Sequence, residues 1–228
     1  MLFTVRSNVD EDFSISFSLS GIPEVENFVG REEEFAKIDE TFQGDGSHRK
    51  TVTLQGLGGI GKTQLAVTFL KRRRDAYSAI FWLNGKDEDL LKQSFATIAK
   101  RLYDKNPSST LLRTAVESKD ADQIVEAVKR WLSVKANTHW ILVFDNIDNP
   151  KLPGINDPQA YDIESYFPET HQGFILVTTR TLRLNLGEVI PLKKLQNVRE
   201  SIAILAHTSG RQVSDQGRPQ DQRRMLHC

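Results

Sequence analysis

Residues 56–63 read GLGGIGKT, and no other stretch restricts the fold of this chain so strongly. Gly56 and Gly61 bracket four residues and are followed at once by Lys62 and Thr63, the pattern G-x-x-x-x-G-K-[ST]. The spacing has a physical reason. Small residues let several backbone N–H groups turn inward toward one phosphate, and a helix starting directly afterwards adds the positive end of its dipole. The lysine then reaches the outer phosphates as a point charge, and the threonine hydroxyl is a ligand for magnesium. At average glycine usage the pattern arises by chance on the order of once per hundred chains this long. The flanks narrow it further. Residues 51–55 (TVTLQ) predict a short strand running into the loop, and Leu65, Ala66, Phe69 and Leu70 mark one face of a helix after it. The same letters contain G-x-G-x-x-G at Gly56, Gly58 and Gly61, a dinucleotide fingerprint. Lys62 and Thr63 weigh against that reading, because such a site has no need of them. The candidate ribose-binding acid, Asp87, is also poorly placed, in a loop beyond the second strand.

Around the loop, strand and helix signals alternate. Residues 31–42 predict a helix with Phe35, Ile38 and Phe42 on one face and Glu32, Glu33 and Glu34 in its first turn, where the dipole favours acids. Residues 79–83 predict a second strand. Residues 88–102 predict a helix with Leu91, Phe95, Ile98 and Leu102 inward, and residues 106–109 a loop. Asp120 caps a further helix carrying Ile124, Val128, Trp131 and Leu132 inward. Residues 140–144 (WILVF) and 174–178 (FILVT) are continuous apolar runs, the mark of parallel strands buried on both faces. Between them, residues 149–158 hold Asn-Pro, Pro-Gly and Asp-Pro pairs and predict a long loop. Val189 and Ile190 allow a last short strand, and residues 198–206 a helix. The expected fold is therefore α/β: a mainly parallel sheet between two helical layers, a three-layer αβα sandwich. Upstream, Phe13, Ile15, Phe17 and Leu19 alternate with serine and predict a half-buried strand in an extension over residues 1–27. Residues 207–228 have only Val213, Met225 and Leu226 as aliphatic side chains and are expected to be disordered, since such a stretch buries too little surface to offset its ordering entropy.

Composition sets the outer bounds. The chain has 228 residues, enough for one full α/β domain. Thirty basic residues balance thirty acidic ones, so no global field draws the chain to nucleic acid or to an anionic membrane. The basic run Lys71, Arg72, Arg73 and Arg74 reads first as cations at a helix C-terminus. The one cysteine, Cys228, forms no internal disulfide, no apolar run approaches the ~20 residues of a membrane span, and the start lacks a signal-peptide core. A cytoplasmic location is expected. The five histidines, His48, His139, His171, His207 and His227, show no metal-ligand spacing, and no G-x-S-x-G nucleophile elbow is present. Trp82, Trp131 and Trp140 fall in predicted core elements rather than on a base-stacking surface.

A phosphate loop needs a carboxylate to help hold magnesium, and Asp145, at the end of WILVF, fits that role. Its successor is Asn146, which takes no proton; Asp148, two residues further on, is an alternative acid for polarising an attacking water. Arg180 ends the FILVTT strand. Spacing alone leaves two readings open there: a cation sensing a terminal phosphate, or a surface arginine that stops a strand.

Taken in order, several segments resemble the NB-ARC domain of the STAND class of P-loop NTPases, especially the fungal type related to plant and animal immune receptors. FVGREEE at residues 28–34 is similar to that family's motif upstream of the P-loop, and GLGGIGKTQLA matches its P-loop closely. AIFWLNG, WILVFDNID and GFILVTTR resemble the following strand, the Walker B strand and the sensor strand. The resemblance covers roughly residues 28–205. It implies that Val29 and Arg31 line the adenine side of the pocket, and that Gly58, Gly59, Ile60, Gly61, Lys62, Thr63 and Gln64 wrap the phosphates. It implies a catalytic set of Lys62, Asp145 and Arg180, with Arg180 sensing the terminal phosphate and Thr63 and Asp145 holding Mg2+. The ligands expected are ADP and ATP; a separate guanine-reading Asn-Lys-x-Asp run is absent, in agreement with adenine. Family members rest with ADP, switch when ATP replaces it, and hydrolyse slowly.

The chain departs from the family pattern in lacking the Gly-Leu-Pro-Leu and Met-His-Asp segments of the helical and winged-helix subdomains, a repeat array, and an effector domain before Phe28. The expectation is a nucleotide-binding core over residues 28–206, ended early, with the polar tail arising from a shifted frame or retained intron. Transcript sequencing across the codons for residues 207–211 tests that origin. Two other readings stand beside the switch: a P-loop ATPase that turns over freely, and a truncated protein that acts by associating with itself or with full-length relatives. No specific nucleic-acid or membrane partner is expected.

Overall fold

The computed structural model describes residues 13–18, 22, 28 and 30–193. The predicted helix over 198–206, the polar tail and Val29 lie outside the described residues. Among the described residues five α-helices and five strands follow in the order α1 (Glu32–Thr41), β1 (Lys50–Gln55), α2 (Lys62–Arg73), β2 (Ala79–Asn84), α3 (Glu88–Lys105), α4 (Thr110–Ser118), α5 (Ala121–Leu132), β3 (Trp140–Asp145), β4 (Phe174–Thr179) and β5 (Glu188–Pro191). The strands form one parallel sheet in the order β2-β3-β4-β1-β5.

Side-chain alternation along the strands builds two cores. Trp140, Leu142 and Phe144 of β3, with Ile175 and Val177 of β4, face the layer of α3, α4 and α5. Ile141 and Val143, with Phe174 and Leu176, face α1 and α2. Because both faces are covered, the central strands carry no polar alternation. The α1–α2 layer is also tied by charge. Arg72 forks onto Glu32 and lies 4.1 Å from the Phe35 ring centre, while Arg73 Nε donates to Asp39 at 2.8 Å. The basic run at the end of α2 thus joins two helices.

Helix boundaries follow local chemistry. Asp87 accepts from the Leu90 N–H and caps α3, which accounts for the acid placed in that loop. Asp120 accepts from the N–H groups of Asp122 and Gln123 and caps α5. Helix α4, capped by Ser109, occupies a stretch between the predicted loop at 106–109 and the Asp120 cap. It buries only Leu112 and Ala115, too few apolar positions to make a strong periodic signal.

The half-buried strand expected over residues 13–20 is not formed among residues 13–18. The alternation has another origin. Ile15 donates its N–H to Ser78 at 2.8 Å and is buried in the α3–α5 core, Phe13 packs edge-on against Trp131, and Phe17 packs against the opposite core. The segment crosses the sheet margin from one face to the other, a path that leaves no ladder along β2.

Candidate functional site

Parallel strands end on one edge of the sheet, and ligand sites in such sheets form there. Register places the expected residues on that edge. Gln55 pairs with Thr179, so Gly56 and Arg180 leave the sheet side by side, and the Gly56 N–H donates to Thr179 O at 3.2 Å. Asn84 pairs with Asp145 on the neighbouring strands. Strand β4 lies between β1 and β3, so its end reaches both the glycine loop and Asp145.

Residues 56–61 turn from β1 into α2. Gly59 and Gly61 have φ of 75° and 95°, and Gly61 caps α2 in the left-handed region, where a Cβ is costly. The helix therefore begins at Lys62 with its first N–H groups facing the loop. Lys62 is 9% exposed and donates from Nζ to the carbonyls of Gly56 (2.8 Å) and Leu57 (3.0 Å), spanning the loop. Burial pulls its ammonium below the usual lysine range; Asp148 and Asp145 oppose that shift and Arg180 reinforces it. Gln64 sits in the first turn of α2, partly buried.

Asp145 closes the site from β3. Its Oδ1 accepts from the Thr63 hydroxyl at 2.9 Å and from the Thr178 hydroxyl at 2.6 Å, joining α2, β3 and β4 through one oxygen. Burial raises its carboxyl above the usual aspartate value, while the Thr178 and Thr63 hydroxyls and the Lys62 charge pull it back. Thr178 also accepts the Asn146 N–H at 2.9 Å. Asn146 has φ of 69°, a conformation asparagine tolerates, and this turn sends Ile147 back to donate to Thr178 O at 2.9 Å. A hydroxyl and a carboxylate are hard oxygen donors that suit Mg2+, an ion that takes few protein ligands beside substrate phosphates. Among the described residues no cluster of three or more His, Cys, Asp or Glu forms a separate metal site.

Arg180 and Arg31 flank the loop. The Arg180 guanidinium lies about 3.4 Å from the point where a Gly58 Cβ would be, which places it in van der Waals reach of the loop backbone. Its Nε pairs with Asp148 Oδ2 at 3.0 Å and its backbone N–H with Asp148 Oδ1 at 2.9 Å. Arg31, 8% exposed with φ of 70°, donates to Glu34 at 2.9 Å and to Ile60 O at 3.2 Å. It therefore supports the loop from α1, and Phe28 approaches Gly61 on the same side. The structure brings Lys62, Thr63, Asp145 and Arg180 to the same edge of the sheet. Sequence reasoning missed Thr178, whose only signal is a threonine inside an apolar strand, and did not foresee that Asp148 pairs with Arg180.

No described helix is long and apolar enough to cross a membrane. Comparison with known proteins follows the same lines as the geometry. Residues 27–159, more than half the chain, match the family of the AAA ATPase domain. A nucleotide-binding leucine-rich repeat (NLR)-like protein of Hyaloscypha variabilis is 25% identical over 181 residues, covering 74% of this chain and 16% of that protein. The chain thus spans about a sixth of the length of that relative. Among solved structures, the ORC2 protein of Aeropyrum pernix, determined in ADPNP-ADP complexes, is similar with a TM-score of 0.46 and 16% identity, over 88% of this chain and 56% of that one. The motifs, the site they build and the matched family coincide: the chain belongs to the AAA ATPase domain family, as a nucleotide-binding P-loop domain.

Proposed function

We propose that this chain is the ADP/ATP-binding core of a signal-transducing switch, in which hydrolysis is slow and resets the state. The observation that carries the reading is the joint held by Asp145. One carboxylate oxygen ties the P-loop helix, through Thr63, to the sensor strand, through Thr178, and Arg180 leaves that same strand beside Gly58. Lys62 and the N–H groups of residues 58–64 would bind the phosphates, and Thr63 and Asp145 would hold Mg2+. When bound, that ion would neutralise negative charge on the phosphates. Val29 and Arg31 would border the adenine. Arg180 would meet a terminal phosphate, so the two nucleotides would give the site different free energies.

Slow turnover rests on Asn146 and Asp148. The residue after Asp145 carries no carboxylate and is held in a left-handed turn, and both carboxylate oxygens of Asp148 are engaged by Arg180. Phosphate release from saturating ATP and magnesium is expected well below 1 per second, the lower range of ordinary enzymes. A steady rate at or above that value would favour a freely turning ATPase. By its resemblance to fungal NB-ARC proteins and its NLR-like relative, the switch would serve self/non-self recognition or defence signalling, in the cytoplasm, through contact with homologous chains.

A further inference from the structure

Asp148 is fixed before it meets anything. Thr181 donates its hydroxyl to Asp148 O at 3.1 Å, the Thr181 N–H donates to the Thr179 hydroxyl at 2.9 Å, and that hydroxyl donates to Ile147 O. The turn after β3 and the turn after β4 are thereby stitched together. From this base both carboxylate oxygens act on one residue: Oδ1 on the Arg180 backbone N–H, Oδ2 on its Nε. Among the described residues the guanidinium makes no further hydrogen bond, so its terminal nitrogens keep their donors while the side chain is held at Gly58. Arginine loses rotamer entropy when it is ordered, and a tether through Nε removes much of that loss before a ligand arrives. Asp148 is 27% exposed at its side chain and Arg180 60%, so the pair sits at the rim, where a phosphate would approach from solvent.

We propose that Asp148 is a positioning residue that presets Arg180 for the terminal phosphate of a nucleoside triphosphate, and so sharpens discrimination of triphosphate from diphosphate. The inference rests on the reading of Arg180 as the sensor. Asp148→Asn isolates the charged tether, because the amide oxygen still accepts the Arg180 N–H and keeps the turn. The 1–228 chain is titrated with fluorescent ADP and with a fluorescent non-hydrolysable ATP analogue, each with magnesium. Arg180→Ala should weaken the triphosphate by about tenfold to 150-fold and the diphosphate little. Asp148→Asn should weaken the triphosphate by about two- to tenfold, leave the diphosphate within about twofold, and add nothing in an Arg180→Ala background. Arg180→Lys, which retains the charge without Nε, should lose the same discrimination and also be indifferent to Asp148→Asn. Unchanged or tighter triphosphate binding by Asp148→Asn, an equal loss for both nucleotides, or a further loss on top of Arg180→Ala would each overturn the proposal while Arg180 remains the sensor. An Arg180→Ala chain that keeps the wild-type triphosphate selectivity would remove the sensor and this inference together.

Discussion

Asp145 carries a conflict between stability and function. Burial is the largest influence on its carboxyl and raises the pKa above 3.8, so the ionised form that suits a magnesium ligand is the form the fold disfavours. The sign follows from linkage. A raised folded-state pKa means that folding takes up protons, so the cost is present in full above that pKa and fades as pH falls toward the ordinary aspartate value. Asp145→Asn keeps an oxygen that accepts from Thr63 and Thr178 and removes the buried charge. Without nucleotide or magnesium it should melt at a higher temperature than the wild type at pH 7, by an amount that shrinks on acidification. With nucleotide it should lose the magnesium-dependent part of binding. A lower melting temperature at pH 7 would mean that the charge itself holds α2, β3 and β4 together. At this scale the glycine loop, Lys62, Thr63 and Asp145 were legible from residue type and spacing alone. Thr178 was not, because a strand threonine declares a function only when its neighbour across the sheet is known.

Between the elements, close backbone approach decides where substitution is tolerated. Gly173 enters β4 with φ of 82°, and a Cβ there would lie 2.3 Å from the Trp140 ring. Trp140 is fully buried and donates Nε1 to Leu132 O at 2.9 Å, so it has little room to yield. Gly173→Ala should destabilise the chain by about 2–5 kcal/mol in urea unfolding, the sum of a positive-φ cost and overpacking. A change under about 0.5 kcal/mol would show that β4 and α5 shift freely. The strands that meet here were readable because a strand buried on both faces is apolar throughout. Helix α4 was not, since two buried positions in one short helix make no clear period. Residues 13–18 misled in the opposite way: alternation signals alternate burial, and a segment crossing a sheet margin produces that without a ladder.

For the molecule as a whole, function follows from strand order, which no local pattern encodes. With β4 between β1 and β3, the chain's separated motifs end on one edge, and Asp145, Thr178, Arg180 and the P-loop become neighbours. The motif order in the sequence was enough for the family and the α/β class; the lateral contacts among motifs required the sheet. Every role proposed for the site depends on phosphate being held at Lys62, so the most direct measurement is a titration of the 1–228 chain and its Lys62→Ala variant with fluorescent ADP and magnesium. The account predicts saturable binding by the wild type, weakened by roughly tenfold to 150-fold in the variant, the value of a charge-assisted phosphate contact. Equal affinity in both chains, or no binding by a folded wild type, would contradict it.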